Sequence, residues 1–185
     1  VISFSAQPFT TDLINSNRTD FRYSLVWDKV LPVGFLNANR MPLRSHEDIC
    51  VFYKKLPFYN PEKSQGHERK IVTNRSCRQS TNYGDFKDGG SYDSTERFPK
   101  SILEFSSGGT RTQIVHPTQK PIELVGYLLR LYSNKDFKVF DPFMGSGTTA
   151  IAAESLGLEW CGCELDEEYC NIARKRLEKV QLSLF

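Results

Sequence analysis

The ten residues from Lys138 to Gly147, KVFDPFMGSG, restrict the folds open to this chain more than any other stretch. A short apolar run predicts a buried strand that ends at Asp141. The glycines at 145 and 147 predict a loop that a ligand can approach closely, because glycine carries no Cβ. Residues 148–158 predict a helix whose first N–H groups face that loop. A strand, a glycine loop and a helix in this order are typical of a nucleotide-type pocket in an α/β protein.

A second acidic residue, Glu164, supports this pocket. It follows a strand-like run at 160–163 and lies seventeen positions after Gly147. An acidic side chain at this point suits the hydroxyl pair of a ribose. Residues 145–150 match the G-x-G-x-x-A dinucleotide pattern, but an S-adenosylmethionine site also combines a glycine loop with an acidic ribose anchor. The pocket by itself therefore leaves both ligand classes open.

Composition narrows the class of protein. Of the 185 residues, 39% are hydrophobic and 25% are charged, which is typical of one domain with a core. No apolar run approaches the ~18 residues of a membrane span, and the net charge of +2 does not by itself indicate a polyanionic partner.

The five cysteines include no C-x-x-C pair, so no disulfide framework or metal site is predicted, and a reducing cytoplasm is expected. Cys161 and Cys163 are predicted to be small core side chains on one strand face.

The remaining periodicity predicts an open α/β sheet with helices on both faces. The predicted strands are 1–4, 21–27, 47–53, 138–140 and 160–163, and the predicted helices are 10–16, 122–132, 148–158 and a last one capped by Asp166. Residues 28–44, with two prolines, a glycine and two asparagines, are predicted to form a long loop. Because ligands bind at the carboxyl ends of strands in such sheets, Asp141 and Glu164 are expected at one rim.

Residues 60–112 differ from the rest of the chain. They show little apolar periodicity and are too long for an ordinary connection, which predicts either a functional insertion or a disordered loop. Basic and aromatic residues alternate there, a pattern that suits contact with phosphates and bases. Asp and Glu are mixed in, so an ordinary solvated loop remains the alternative.

Three motifs in order carry a family resemblance: HPTQKP at 116–121, DPFMGSGTT at 141–149 and CELD at 163–166. They resemble the β-class of DNA amino-methyltransferases, in which the target-recognition segment precedes the cofactor motif, as it does here. The run at 34–47 is similar to small phage and restriction-modification enzymes that modify adenine. The resemblance implies a Rossmann-like open sheet with five of the family's seven strands in this chain. Residues 1–59 and 113–185 would form the methyltransferase domain, and 60–112 the target-recognition insertion.

The resemblance also implies S-adenosylmethionine as the cofactor. Its expected ligands are Thr118, Lys120, Asp141, Phe143, Gly145, Ser146, Gly147, Glu164 and Leu165. Glu164 would bind the ribose hydroxyls and Leu165 would line the adenine pocket, while Thr118 and Lys120 would face the methionine end, where Lys120 can pair with the carboxylate. No metal is implied, since the sulfonium itself supplies the electrophile.

The implied activity is site-specific methyl transfer to adenine N6 in double-stranded DNA, with the target base flipped out of the stack. The expected DNA contacts are Arg40, Arg44, Arg69, Lys70, Arg75 and Arg78. A homodimer is common in the class, and a cognate restriction nuclease would be encoded elsewhere. The expected location is the cytoplasm of a bacterial or phage-infected cell.

The chain departs from the family at one motif. The catalytic tetrapeptide Asp-Pro-Pro-Tyr should precede the strand at 1–4, and it is absent; residues 141–143 belong to the cofactor loop instead. No catalytic residue is therefore assigned in this chain, and we expect the natural protein to extend further at its N terminus. A catalytically incomplete cofactor- or DNA-binding fragment and an N4-cytosine methyltransferase are the alternatives. A dinucleotide-dependent oxidoreductase is disfavoured, because no second mononucleotide half follows the glycine motif.

Overall fold

The computed structural model describes residues 1–72, 92–107 and 119–183, and the structural statements below concern these ranges. The chain divides into two compact units. The larger unit comprises Val1–Asn60 and Lys100–Phe185, and the smaller one comprises Pro61–Pro99. Within the described ranges, no helix has the length and apolar character to cross a lipid bilayer.

The described secondary structure is mixed, with strands and helices interspersed along the chain. The strands are β1 (Ile2–Ser5), β2 (Phe21–Val33), β3 (Arg44–Phe52), β4 (Lys70–Val72), β5 (Tyr92–Ser94), β6 (Ile102–Glu104), β7 (Lys138–Asp141) and β8 (Glu159–Gly162). The helices are α1 (Phe9–Ser16), α2 (Ile122–Tyr132), α3 (Thr148–Ser155) and α4 (Glu167–Ser183), and a 3-10 turn spans Phe35–Asn37. The predicted α/β class with open sheets is confirmed.

The main core lies on a four-stranded sheet in the order β1-β3-β2-β6. Strand β3 runs antiparallel to β1 and β2, whereas β6 runs parallel to β2. Trp27 and Ile49 are almost fully buried, and α2 adds Leu124 and Leu128 to the same cluster. Burial of each such side chain contributes roughly 1.5–3 kcal/mol. Because β1 and β2 share a direction, their carboxyl ends meet at one rim, beside the start of β3.

Strands β7 and β8 form a separate parallel pair, in which Asp141 lies opposite Gly162. Helix α3 packs against β8, α2 and α4, so α2 belongs both to this layer and to the core of the four-stranded sheet. The larger unit thus contains two hydrogen-bonded sheets in its described part, where the sequence predicted one.

Three features differ from the sequence predictions. Strand β2 continues to Val33 through residues predicted as loop, because its ladder with β3 resumes at Val33 and Arg44 after a bulge. Strand β6 was missed, since only three residues of an otherwise polar segment pair with β2. Cys161 and Cys163 are exposed rather than buried, because this part of the β7–β8 pair faces solvent.

The smaller unit is closed by backbone pairing between Ser64 and Arg97. The two residues exchange N–H···O bonds of 2.9 and 3.0 Å. Strands β4 and β5 pair in antiparallel fashion beyond this bridge. Arg69 binds Asp93 with two hydrogen bonds of 2.8 and 2.6 Å, which ties the residue before β4 to β5.

Candidate functional site

Asp141 fixes the glycine loop to the helix that follows it. One carboxylate oxygen accepts the backbone N–H of Phe143 at 2.9 Å, and the other accepts the Thr149 hydroxyl at 2.6 Å. The strand end and the first turn of α3 are therefore joined through one side chain. This carboxylate shapes the loop through contacts within the chain.

Gly147, the residue before α3, lies close to Ala173 of α4. Its φ is +84°, and a Cβ built there would lie 2.8 Å from the Cβ of Ala173. A side chain would therefore meet both backbone strain and a steric conflict. The glycine is required for helix packing as well as for access to the loop.

Glu164 joins the glycine loop to the connection between β8 and α4. One carboxylate oxygen accepts the N–H of Gly145 at 2.7 Å. The other accepts the N–H groups of Leu165 at 2.9 Å and Asp166 at 3.0 Å. Asp166 in turn accepts the N–H of Glu168, as a helix N-cap does. The structure thus brings the two predicted acidic and glycine motifs into direct contact.

Ser146 points its hydroxyl into the protein and is buried. The hydroxyl donates to Gln119 Oε1 at 3.3 Å, which joins the glycine loop to the segment that precedes α2. Arg176 of α4 donates to the Ser146 carbonyl at 2.6 Å and contacts its hydroxyl at 2.9 Å. Burial lowers the pKa of the Arg176 guanidinium from its ordinary value. Ser146 is therefore a structural centre where three segments meet.

Phe143 and Leu165 present apolar side chains to solvent on the two loops of this rim. Phe143 is 86% exposed and Leu165 is fully exposed. Their backbones are close, because Met144 N donates to Cys163 O at 2.8 Å. Apolar groups placed beside a glycine loop and a carboxylate can cover a flat ring.

Lys120 lies in a second cluster at the carboxyl rim of the four-stranded sheet. Its ammonium is 3.4 Å from Glu47 Oε2, and Lys29 is 2.6 Å from Glu47 Oε1. The rings of Phe4 and Trp27 lie 5.3 and 5.9 Å from the Lys120 ammonium. The ammonium groups of Lys29 and Lys120 thus contact the same carboxylate, one at each oxygen. Since Gln119 binds Ser146, consecutive residues connect this cluster to the glycine loop.

The predicted DNA contacts fall in different places. Arg40 is exposed in the connection between β2 and β3, and Arg44 is exposed at the start of β3. Lys70 is exposed in β4, and the Arg69 guanidinium is engaged by Asp93, which lowers the pKa of that carboxyl. The predicted DNA contacts Arg75 and Arg78, and the predicted cofactor ligand Thr118, lie outside the described residues.

Some site residues were missed by the sequence analysis. Gln119 lies inside a motif that was recognised, but only its two neighbours were given roles. Arg176 was given no role, although it lies seven residues after Tyr169 on the partly buried stripe of α4. The pairing of Lys29 with Glu47 had no local signal, because it depends on strand register. No metal-binding group of three or more His, Cys, Asp or Glu side chains occurs among the described residues.

Comparisons with a family model and with curated proteins indicate the same protein family. A family model described as DNA methylase, of the N6/N4 type, matches residues 3–175. The type II methyltransferase M1.MboII of Moraxella bovis is 40% identical over 75 residues, which are 40% of this chain and 29% of that protein. The aligned segments span less than half the length of these curated relatives, for example 46% of the orphan methyltransferase M.BamHII of Bacillus amyloliquefaciens and 18% of the type II methyltransferase M.HinfI of Haemophilus influenzae.

Solved structures share the fold. The M1.HpyAVI–SAM complex has a TM-score of 0.61 and 24% identity, over 95% of this chain and 72% of the other. The cytosine-N4-specific PvuII DNA methyltransferase has a TM-score of 0.59 and 17% identity, over 94% of this chain and 60% of the other. Because the family model covers nearly the whole chain, the chain belongs to the N6/N4 DNA methylase family.

Proposed function

We propose that this chain forms the cofactor-binding and DNA-positioning part of a site-specific methyltransferase that modifies adenine N6 in duplex DNA. The observation that carries the proposal is the 2.7 Å hydrogen bond between Gly145 and Glu164, at the rim of the β7–β8 pair. It unites a loop open to close approach with a carboxylate, the arrangement that an adenosine ribose requires. Membership of the N6/N4 DNA methylase family indicates that the reaction is methyl transfer to DNA.

The residues of this rim fit S-adenosylmethionine at three points. Glu164 would accept hydrogen bonds from the ribose hydroxyls, in exchange for backbone N–H groups that it binds here. Phe143 and Leu165 would cover the faces of the adenine ring. Lys120 would pair with the methionine carboxylate, because it adjoins Gln119, which binds Ser146 of the glycine loop. When bound, the cofactor supplies an electrophilic methyl group on a sulfonium.

The other assigned residues would act by shaping the loop. Asp141 holds the loop on α3, Ser146 ties it to Gln119, and Gly147 permits the approach of α4. The side chains of Asp141 and Ser146 are engaged within the protein, so substitution there or at Gly147 would change loop geometry rather than remove a ligand contact. Thr118 is proposed to stand beside the methionine end, next to Gln119 in the chain.

Duplex DNA is the proposed substrate, and the unit Pro61–Pro99 is the proposed target-recognition segment. It is shorter than 60–112 because β6 pairs with β2 in the larger unit. Of the basic residues assigned there, Lys70 is the better candidate for phosphate contact, since Arg69 is already paired with Asp93. A homodimer, a separately encoded cognate nuclease and a place in the cytoplasm of a bacterial or phage-infected cell complete the proposal.

The test is methylation of unmethylated duplex DNA by the natural full-length protein, with S-adenosylmethionine that carries a deuterated methyl group. The DNA is digested to nucleosides and analysed by mass spectrometry. Labelled N6-methyladenine is the expected product. Labelled N4-methylcytosine would overturn the choice of adenine. Cofactor binding without any labelled base would instead favour an incomplete fragment that binds but does not turn over.

Cytosine N4 is the second candidate acceptor. The observation in its favour is that a cytosine-N4-specific enzyme shares the fold over nearly all of this chain. Adenine is preferred because the run at 34–47 resembles small phage and restriction-modification enzymes that modify adenine. The dinucleotide-dependent oxidoreductase is no longer a candidate, because the family match accounts for the same glycine motif.

A further inference from the structure

Residues 30–44 form an exposed extension, here called the arm, between the paired parts of β2 and β3. Apolar side chains are concentrated on it: Val30, Leu31, Val33, Phe35, Leu36 and Met41 are all exposed. Phe35 is 81% exposed and Leu36 is 99% exposed. A concentration of this kind on a short segment indicates a contact surface, since single exposed apolar residues are ordinary but clusters are not.

The base of the arm is held firmly. Trp27 and Asp28 of β2 pair with Glu47 and His46 of β3, and the Lys29–Glu47 ion pair of 2.6 Å closes the ladder. Phe105 N also donates to the Asp28 carbonyl at 3.1 Å. The arm therefore projects from a base that is fixed by hydrogen bonds and an ion pair. A segment that displaces part of a binding partner needs such a fixed attachment.

The backbone turns sharply within the arm. Val30 has a φ of +65°, which is rare for a β-branched residue, and its N–H is held by Asp28 Oδ1 at 2.9 Å. Gly34 has a φ of +90° and starts the 3-10 turn Phe35–Asn37. Arg40 N donates to the Asn37 carbonyl at 2.8 Å. This turn presents Phe35 and Leu36 at its outer end as a compact apolar tip.

The positive charge of the arm indicates which kind of molecule it can bind. Arg40 and Arg44 are exposed and cationic, and no acidic residue occurs between positions 30 and 44. Cations beside an apolar tip match a duplex, whose phosphates attract the arginines while its base stack accepts an apolar wedge. A second copy of the chain would offer its own Arg40 and Arg44 to the same surface, and like charges would oppose that contact.

We propose that the arm inserts Phe35 and Leu36 into the base stack of duplex DNA, next to the base that is methylated. The inference rests on the proposed function. The arm is rooted beside the proposed cofactor site, because Glu47 at its base contacts Lys120 and the preceding residue, Gln119, contacts Ser146 of the glycine loop. A wedge at this place opens the stack where a target base must leave it.

The test compares Leu36→Ser with Leu56→Ser, a leucine of the same unit that is 84% exposed outside the arm. Each purified protein is bound to relaxed plasmid DNA with S-adenosylhomocysteine, and topoisomerase I then records unwinding as a shift in topoisomers. This readout needs no knowledge of the recognition sequence. DNA affinity is measured in parallel by fluorescence anisotropy. Both leucines are exposed, so circular dichroism should show both variants folded.

The parent and Leu56→Ser are expected to unwind DNA equally. Leu36→Ser should lose about half or more of the unwinding per bound protein, and Phe35→Ser with Leu36→Ser nearly all of it. Arg40→Gln with Arg44→Gln should instead weaken binding and lower the salt slope by about 1 to 2, with unwinding per bound protein retained.

Several outcomes would overturn the inference. Equal unwinding per bound protein by the parent and Leu36→Ser would show that the arm is not a wedge, and the proposed function would be unaffected. Dissociation of a dimer by Leu36→Ser without loss of unwinding would assign the tip to a second copy. Absence of both DNA binding and methylation in the parent would remove the proposed function and the wedge together.

Discussion

Glu164 accepts a hydrogen bond from the backbone N–H of Gly145 at 2.7 Å, although the two residues are 19 positions apart. The same carboxylate accepts two N–H groups at the approach to α4. A residue predicted as a ligand contact therefore also organises the loops around it. Experiments on Glu164 must separate these two roles.

Glu164→Gln should weaken binding of S-adenosylhomocysteine by about tenfold or more, because an amide is a poorer acceptor than a carboxylate and its NH₂ group faces N–H donors. Isothermal titration calorimetry measures the effect. Glu168→Gln is the matched control, since Glu168 is an exposed acid four residues later, in the first turn of α4. Unchanged affinity in a folded Glu164→Gln variant would restrict Glu164 to a structural role.

Lys120→Met should weaken binding of S-adenosylhomocysteine by about tenfold and leave binding of 5′-methylthioadenosine unchanged. The second ligand lacks the amino-acid end and hence the carboxylate that Lys120 is proposed to bind. Calorimetry with both ligands separates loss of this contact from loss of fold. Lys175→Met, on the exposed face of α4, is the control. Equal weakening for both ligands would contradict the assignment.

Glu47→Gln should lower the free energy of unfolding by about 1–3 kcal/mol, because the buried Lys29 ammonium loses its charged partner. Urea denaturation followed by circular dichroism measures the change. The combined Lys29→Met and Glu47→Gln variant should recover part of the loss, since the unpaired charge is then removed as well. Additive losses in the combined variant would show that the two side chains do not interact.

Gly147→Ala should destabilise the protein by about 2–4 kcal/mol, from backbone strain at a φ of +84° and from the conflict with Ala173. Ala173→Gly alone should cost about 1 kcal/mol as a glycine within a helix. The double variant should be less destabilised than the sum of the two, because it relieves the steric conflict while the backbone strain persists. Urea denaturation of the four proteins gives the coupling energy, and a value near zero would contradict the contact.

Arg69→Gln should raise the pKa of Asp93 to the ordinary carboxyl range. In the parent, the hydrogen bonds from Arg69 hold that pKa below its usual value. A lowered folded-state pKa means that the pair stabilises the smaller unit above the ordinary carboxyl pKa and that this contribution is lost as the pH falls through the lowered value. Carboxyl-detected NMR titration reports the pKa directly. Lys70→Gln should leave it unchanged, and a normal pKa in the parent would contradict the pairing.

Local patterns in the sequence predicted much of this structure. The strand, glycine loop and helix from Lys138 onward occur as predicted, because turn chemistry and apolar periodicity are local properties. Contacts that depend on register or packing could not be predicted in this way. The Lys29–Glu47 pair requires the β2–β3 ladder, and the inward turn of Ser146 requires Gln119 and Arg176 from distant segments. Strand β6 is too short to carry a periodic signal.

The backbone bridge between Ser64 and Arg97 has a consequence for how specificity could diversify. The chain enters and leaves the smaller unit at this bridge, here called the neck. The neck holds the two ends of the segment together, and the entropy cost of doing so rises only slowly with the length of the segment. We expect that the segment between Ser64 and Arg97 can change in sequence or length without shifting the register between β2 and β6. These two strands lie before and after the segment in the sequence. If the proposed function holds, a recognition module grafted between Ser64 and Arg97 would redirect methylation to another DNA sequence while the larger unit is inherited unchanged.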